Sequence, residues 1–427
     1  MTPTLTRPTR RTVLLAAVTA LTLAASACGR DDAGDTASQG DAVEQGKASG
    51  DITVWAMGTE GEKLSVLADD FMKENPDAKV TVTAVPWDGA HNKISAAIAG
   101  QQTPDVTMLG TTWIGEFAKT GALDVVPPDF VKEDDFFPGA WETGVVDGTS
   151  FSVPWYVETR LLFVNKAVAA KAGITEAPTT WAELTRAMKD MQAKGGAKWG
   201  TYMQPGQTGA WQTVMPFVWQ NGGDVYDGQK FTLDSPAAVE ALEYYGSFYT
   251  DGLSTKDRLR DGEQEPKLLS GEIASFVSGP WHIGLLNELG GEGKYELWPM
   301  PSGPGDATSF IGGSNMSVFK NTENRDGAWK FVSYLMRPEV QVKWYQTVND
   351  LPAVQAAWDD AALSGDEQLS TFGDQLDKAK APPSIPTWEQ IAAGLDTELE
   401  KIAKGTESAA DAAKAMQAQA TSIGTGG

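Results

Sequence analysis

Asp51-Ile-Thr-Val-Trp55, then Leu64, Leu67, Ala68 and Phe71, then Lys79 to Val85, make up the stretch on which the fold turns. The first piece is a short apolar strand. The four residues after it fall on one face of a helix, which Pro76 ends because proline supplies no amide hydrogen to the helix ladder. Val80 and Val82 alternate with polar neighbours, the period of a half-buried second strand. Asn92 to Ala99 reads as a helix and Pro104 to Leu109 as a buried strand. Ile114, Phe117 and Ala118 open another helix, which Gly121 can cap. Strand and helix alternate, and that order predicts an α/β lobe built on a mainly parallel sheet.

Punctuation of the same kind continues beyond this stretch. Phe151 starts a strand that runs through Pro154 towards Asn165. Thr180 and Glu183 form a capping box ahead of Trp181, Leu184, Met188 and Met191. Ser235-Pro236 is an N-cap with proline at the first helical position. Ile273 to Val277 reads as a strand, and Ala328, Phe331, Val332 and Leu335 as a helical stripe ending at Pro338. Trp388, Ile391, Ala392, Leu395, Leu399 and Ile402 keep helical spacing over about four turns. No internal repeat is visible.

The first residues point outward from the cell. Arg7, Arg10 and Arg11 precede an apolar run from Val13 to Ala25, and Ala25-Ser26-Ala27 stands before Cys28, the only cysteine in 427 residues. A basic start, a short apolar run and small residues at the cut are what a signal peptide needs. The run is too short to span a hydrocarbon core, which takes roughly 20 residues. Residues 1–27 therefore read as a signal peptide, and Cys28 as a lipid acceptor opening the mature chain. Arg10-Arg11 also hints at twin-arginine export. With one cysteine, no disulfide forms within the chain. Residues 28–50, rich in glycine, aspartate and serine and free of aromatics, read as a flexible tether.

Composition excludes several functions. Removing the three leader arginines takes the formal charge from −23 to −26, an unsuitable surface for nucleic acid. Only His91 and His282 are present, so a multi-histidine metal site is out, and no metal or cofactor is expected. There is no phosphate-binding glycine loop, dinucleotide fingerprint or nucleophile elbow. Fifteen tryptophans stand out instead. Trp181 and Trp329 belong to apolar helical stripes and read as core. Trp87, Trp113, Trp155, Trp211, Trp281 and Trp388 lie beside Pro or Gly or at element ends, where loops rim a pocket. A flat indole suits the C–H face of a pyranose while Asp, Glu, Gln and Asn bond its hydroxyls, so the set favours a sugar-sized cleft.

From Asp51 almost to its end, the chain resembles the extracellular solute-binding proteins of sugar ABC importers, the group that includes maltose- and trehalose/maltose-binding proteins. The resemblance rests on Gln102-Thr-Pro-Asp-Val106 with Trp113 to Leu123, Val153-Pro-Trp-Tyr-Val-Glu-Thr159 with Asn165-Lys166, and Thr180-Trp-Ala-Glu-Leu184. Asn221-Gly-Gly223, Ser278-Gly-Pro-Trp281, Phe310-Ile-Gly-Gly313 and Ala328-Trp-Lys-Phe331 continue it. It implies a two-lobed type II periplasmic-binding-protein-like α/β fold, with three hinge crossings near Val157, Phe310 and Asn349 and ligand bound between the lobes. Lobe one would hold residues 51–156 and 310–348, and lobe two 157–309 and 349–427.

It also implies a role for single residues. Glu60 would accept sugar hydroxyls, Trp281 would be a stacking platform, Trp388 a further aromatic, and the Gly312-Gly313 backbone would approach the ligand. Tyr156, Glu158 and Arg160 share one strand face and Trp155 and Val157 the other. Since the family's cleft acid aligns with Glu158, Tyr156 and Glu158 are the expected contacts. Trp87, Thr112, Trp113 and Trp211 complete the expected ligand set. Where the maltose-binding protein has an Asp-Arg pair, this chain reads Thr112-Trp113, which argues against maltose itself.

The function implied is capture of a mono- or oligosaccharide by hinge closure and its delivery to the membrane subunits of an ABC permease. The protein would act as a monomer tethered by lipid to the extracellular face of the cell membrane. A secreted glycoside hydrolase would need two carboxylates about 5–10 Å apart across the sugar, for which only Glu60 and Glu158 offer themselves. A receptor for glycerol phosphate would need converging cations, with Arg160, Arg258 and Arg260 the suggestive set, whereas a polyamine would suit the acidic charge.

Overall fold

The structure, a computed structural model, describes residues 41–427 other than Asp129, Thr208, Asp261 and Gly427. The signal peptide, Cys28 and the start of the tether lie outside the described residues. Twelve strands occur among them, in chain order β1 (Gly50–Met57), β2 (Ala78–Val85), β3 (Val106–Gly110), β4 (Val145–Val146), β5 (Thr149–Ser150) and β6 (Val153–Thr159). They continue with β7 (Leu161–Asn165), β8 (Ser275–Ser278), β9 (Tyr295–Trp298), β10 (Ser309–Val318), β11 (Leu351–Pro352) and β12 (Ala379–Lys380).

Seven of them form one sheet in the order β11-β6-β10-β3-β1-β2, with β12 paired to β10. The alternating stretch at the start of the chain supplies its parallel part, β2-β1-β3. The sheet as a whole is mixed, because β10 runs antiparallel to both β3 and β6, and β11 antiparallel to β6. The mainly parallel sheet read from the sequence is corrected here. β10 enters from some 200 residues downstream of β3, where no local alternation announces it.

A second sheet has the order β8-β7-β9, antiparallel throughout. β7 is buried on both faces. Leu161 and Phe163 enter one apolar core and Leu162 and Val164 another, which is why its sequence is apolar without alternation. The second core is closed by the helices Trp211–Gln220, Pro236–Thr250, Trp388–Lys404 and Ala409–Ile423.

The chain leaves the large sheet at Arg160, between β6 and β7. It returns between β9 and β10, and both β11 and β12 remain in the large sheet. The first passage lies a few residues later than Val157, and the third follows Lys380, some thirty residues later than Asn349. The capping box of Thr180 and Glu183 and the cap of Ser235 both form as read. Residues 41–49 depart from the expected tether. Ala48 is buried and donates its amide to Asn75 Oδ1 (2.9 Å), the Glu44 amide reaches Asp326 Oδ2 (3.1 Å), and Arg325 Nη2 binds the Asp41 carbonyl (2.9 Å). Ala48, the partly buried Val43 and these bonds dock the stretch onto the helix Arg325–Leu335 and its neighbours.

Candidate functional site

The edges of the two sheets and the helices beside them enclose a cleft of about 740 Å³, within the range of about 300–1,000 Å³ usual for small-molecule sites. Glu60, Trp87, Thr112 and Trp113 line it, with Tyr156, Glu158, Trp281, Gly312 and Gly313, so nine of the eleven residues expected from the sequence share one cavity. Glu60 sits in the first turn of the short helix Gly58–Lys63. That helix lies so close to β1 that a Cβ on Gly61 would be 2.3 Å from the Ala56 carbonyl oxygen. Trp87 starts the helix Trp87–Gly100 and meets the edge of Trp113 at 5.7 Å between ring centroids. Trp281 begins the helix Trp281–Glu288 on the second sheet's side and is 41% exposed.

Strand alternation orients β6. Trp155 and Val157 are buried in the core, where Trp155 stacks on Trp344 at 4.9 Å, while Tyr156 and Glu158 point into the cleft. β10 runs beside them with Gly313 at φ +124, and a Cβ there would lie 2.2 Å from the Tyr156 carbonyl oxygen. Only glycine allows this approach.

Carboxylates concentrate on the floor. Burial is the main force raising the Glu60 carboxyl above its ordinary value, opposed by a backbone hydrogen bond and by one donated from the Tyr156 hydroxyl. Burial also pushes the Tyr156 phenol well above its usual range, helped by the charges of Asp350 and Glu60, and that hydroxyl accepts from Ser314 Oγ (3.1 Å). Asp350 accepts from Trp344 Nε1 (3.0 Å), and desolvation followed by the nearby Glu60 holds its acid well above the carboxylate range. Glu158 is different, being paired to Arg160 at 2.9 Å. Glu60 and Asp350 thus hold a proton more tightly than free carboxylates do, while the charge of Glu158 is matched by Arg160.

Two expected residues lie elsewhere. Trp388 is fully buried, with its ring meeting Trp211 edge-on at 5.0 Å. Its place on the stripe of Ile391, Ala392 and Leu395 turns it into the second core, by the same spacing that buries Trp329. Trp211 is 5% exposed and borders a neighbouring cavity that meets the cleft at Thr112, Trp113 and Gln212. Conversely, Gln212, Phe310 and Asp350 line the cleft without having been singled out. Phe310 and Asp350 adjoin the expected crossings, the one signal that pointed to them. Arg160 stands directly behind the wall. Among the described residues no group of three or more His, Cys, Asp or Glu could hold a metal ion, and no helix is long and apolar enough to cross a membrane.

Comparison with known proteins follows the same outline. The sequence profile of the bacterial extracellular solute-binding protein family matches residues 56–342. The solved sugar-binding protein MalE of Xanthomonas citri is 31% identical and superposes with a TM-score of 0.83, over 88% of this chain and 97% of its own. The diacetylchitobiose binding protein DasA of Streptomyces coelicolor is 26% identical, over 96% of this chain and 97% of its own. The GacH receptor of Streptomyces glaucescens is 26% identical with a TM-score of 0.75, over 88% and 99% of the two chains.

Proposed function

The chain belongs to the bacterial extracellular solute-binding protein family, and on that premise we propose that its cleft takes an uncharged saccharide, closes around it and presents it to the permease of an ABC importer. The observation that carries this reading is one cavity holding three accessible indoles, Trp87, Trp113 and Trp281, together with Glu60, Tyr156 and Glu158. Indole faces suit sugar C–H faces and the oxygens suit hydroxyls. Expected ligand residues are Glu60, Trp87, Thr112, Trp113, Tyr156, Glu158, Trp281, Gly312 and Gly313, to which Gln212 and Asp350 are added. Lobe one comprises the large sheet, lobe two the small sheet and the helices of the second core. Ligand touching both biases the hinge towards the closed form, because those contacts exist only there. The protein works as a monomer, tethered at the extracellular face of the membrane by lipid on Cys28, which keeps it at high effective concentration near its permease.

This family captures solutes rather than transforming them, so the hydrolase reading falls away. Glycerol phosphate would ask for a free cation at the cleft, and the Arg160 guanidinium is already committed to Glu158 and Gln212. Titration calorimetry of the purified protein against mono-, di- and trisaccharides, with glycerol 3-phosphate and spermidine alongside, tests the reading. Saturable one-to-one binding of a neutral sugar is expected. Binding of either charged solute alone would refute it.

A further inference from the structure

Arg160 occupies the first passage between the two sheets and is 5% exposed. Its guanidinium donates to both oxygens of Glu158 (2.9 and 3.3 Å) and to Gln212 Oε1 (2.7 Å). The same group lies 4.7 Å from the Trp281 ring centroid and 5.3 Å from that of Phe310. Four elements therefore meet at one side chain: β6 through Glu158, β10 through Phe310, and the helices that begin at Trp211 and Trp281. The fit is close. A Cβ on Gly279 would be 2.0 Å from Trp281 Cζ3 and 2.7 Å from Arg160 Nη1, so the bare glycine is what lets the indole lie against the guanidinium.

This arrangement has electrostatic consequences for whatever lies on the outer face of Trp281. A cation is attracted to an indole by the ring's electron-rich faces. With a guanidinium already on the inner face, the outer face is a poorer partner for a second cation, while its apolar contact area is unchanged. Glu158 likewise keeps its acceptor oxygens in fixed positions, but its charge is matched.

We propose that Arg160 is the positioning residue of this cleft: it fixes the Trp281 ring and, with Glu158, turns that wall towards uncharged ligands and against cationic ones. The charge preference rests on the saccharide reading, whereas the positioning role stands without it. Both are tested on the full-length mature protein carrying 5-fluorotryptophan, with the Trp281 fluorine resonance assigned by Trp281→Phe. Arg160→Lys keeps the charge and loses the planar stack, and Gly279→Ala pushes the ring away without touching any charge. The pair Arg160→Gln with Glu158→Gln stays charge-balanced should Arg160→Lys fold poorly.

The Trp281 resonance should move or broaden in each variant, while the resonances of buried tryptophans hold. In titrations at mildly acidic pH, N,N′-diacetylchitobiose serves as the neutral probe and fully deacetylated chitobiose as the cationic one. The wild type should prefer the neutral probe by about tenfold or more, the size of a cation–π contribution of roughly 1–2 kcal/mol; the pair Arg160→Gln with Glu158→Gln, which removes the cation behind the indole, should erase most of that preference, and Arg160→Lys, which keeps the charge, should retain more of it. A Trp281 resonance that stays in place in every variant overturns the positioning role, and an unchanged preference in the paired variant overturns the charge role. Failure of the wild type to bind either probe counts against the saccharide reading, and the resonance measurement still decides the role of Arg160.

Discussion

Gly312 and Gly313 stand side by side on β10, yet replacing them should have opposite consequences. At Gly313, φ is +124, a conformation costing a side-chain-bearing residue about 1–3 kcal/mol. Its Cβ would also meet only backbone of β6: the Tyr156 carbonyl oxygen at 2.2 Å, Val157 Cα at 2.9 Å and the Tyr156 carbonyl carbon at 3.0 Å. None of these can rotate aside, so Gly313→Ala must part β6 from β10 across the register Ile311–Ser314. Loosening one or two ladder bonds adds about 1 kcal/mol each, for a total of about 2–5 kcal/mol. Unfolding entropy of about 2 cal/mol/K per residue makes each kcal/mol worth little more than ~1 °C in a body of some 390 residues. A fall in Tm of about 2–6 °C is expected. At Gly312 the nearest atoms are the Phe310 ring (2.7 Å) and Glu158 Oε1 (2.8 Å), both side-chain ends that can shift, and φ is ordinary. Gly312→Ala should thus melt within about 2 °C of wild type, by the same entropy scale, while weakening ligand binding by displacing Glu158. Differential scanning calorimetry with titration of both variants decides. Equal loss of stability in the two, or a Gly313→Ala protein as stable as wild type, would refute the reasoning.

Trp281→Ala should lower sugar affinity by about tenfold or more, near 1.4 kcal/mol, and leave Tm nearly unchanged, because the ring is 41% exposed; undiminished affinity would remove it from the site. Burial, partly offset by the amides of Trp211 and Gly209, lifts the Asp396 carboxyl to about 6. The folded chain then holds a proton that the unfolded chain has released between about pH 4 and 6. This group's stabilisation is present at low pH and lost as pH rises through 6, by on the order of 2–3 kcal/mol. Asp396→Asn, which resembles the protonated acid, should gain stability relative to wild type on going from pH 4 to 7, and a pH-independent difference in Tm would contradict this. Thr180→Ala should cost about 1 kcal/mol by removing the capping box, measurable by urea unfolding, and an unshifted midpoint would refute it. Cys28→Ala should abolish incorporation of labelled palmitate and release the protein from membranes; continued retention would refute lipid attachment there.

Much of the site was legible because period-2 and period-3.6 patterns report burial directly. Alternation along β6 separated Tyr156 and Glu158 from Trp155 and Val157, and the structure sets these two pairs on opposite faces. The same rule, applied to Trp388, would have buried it, since that residue opens the stripe of Ile391, Ala392 and Leu395. Residues whose placement depends on distant pairing were less visible. Asp350 reaches the cleft because β11 pairs with β6, and Gln212 because a loop ahead of its helix is held by the Asp396 carboxylate through the amides of Gly209 and Trp211. The antiparallel entry of β10 is likewise a non-local event with no signature in its own composition. Docking of residues 41–49 escaped notice because only Ala48 and the partly buried Val43 supply its apolar contact, too little to make a periodic pattern.

The account comes down to carbohydrate held between aromatic and acidic walls, and a crystal structure of the protein grown with its best-binding sugar measures that directly. Density for the sugar is predicted on the outer face of Trp281, with hydroxyls on Glu158 and Glu60 and the two sheets closer together than without ligand. Sugar bound at any other place, with Trp281 and Glu158 still open to solvent, would contradict it.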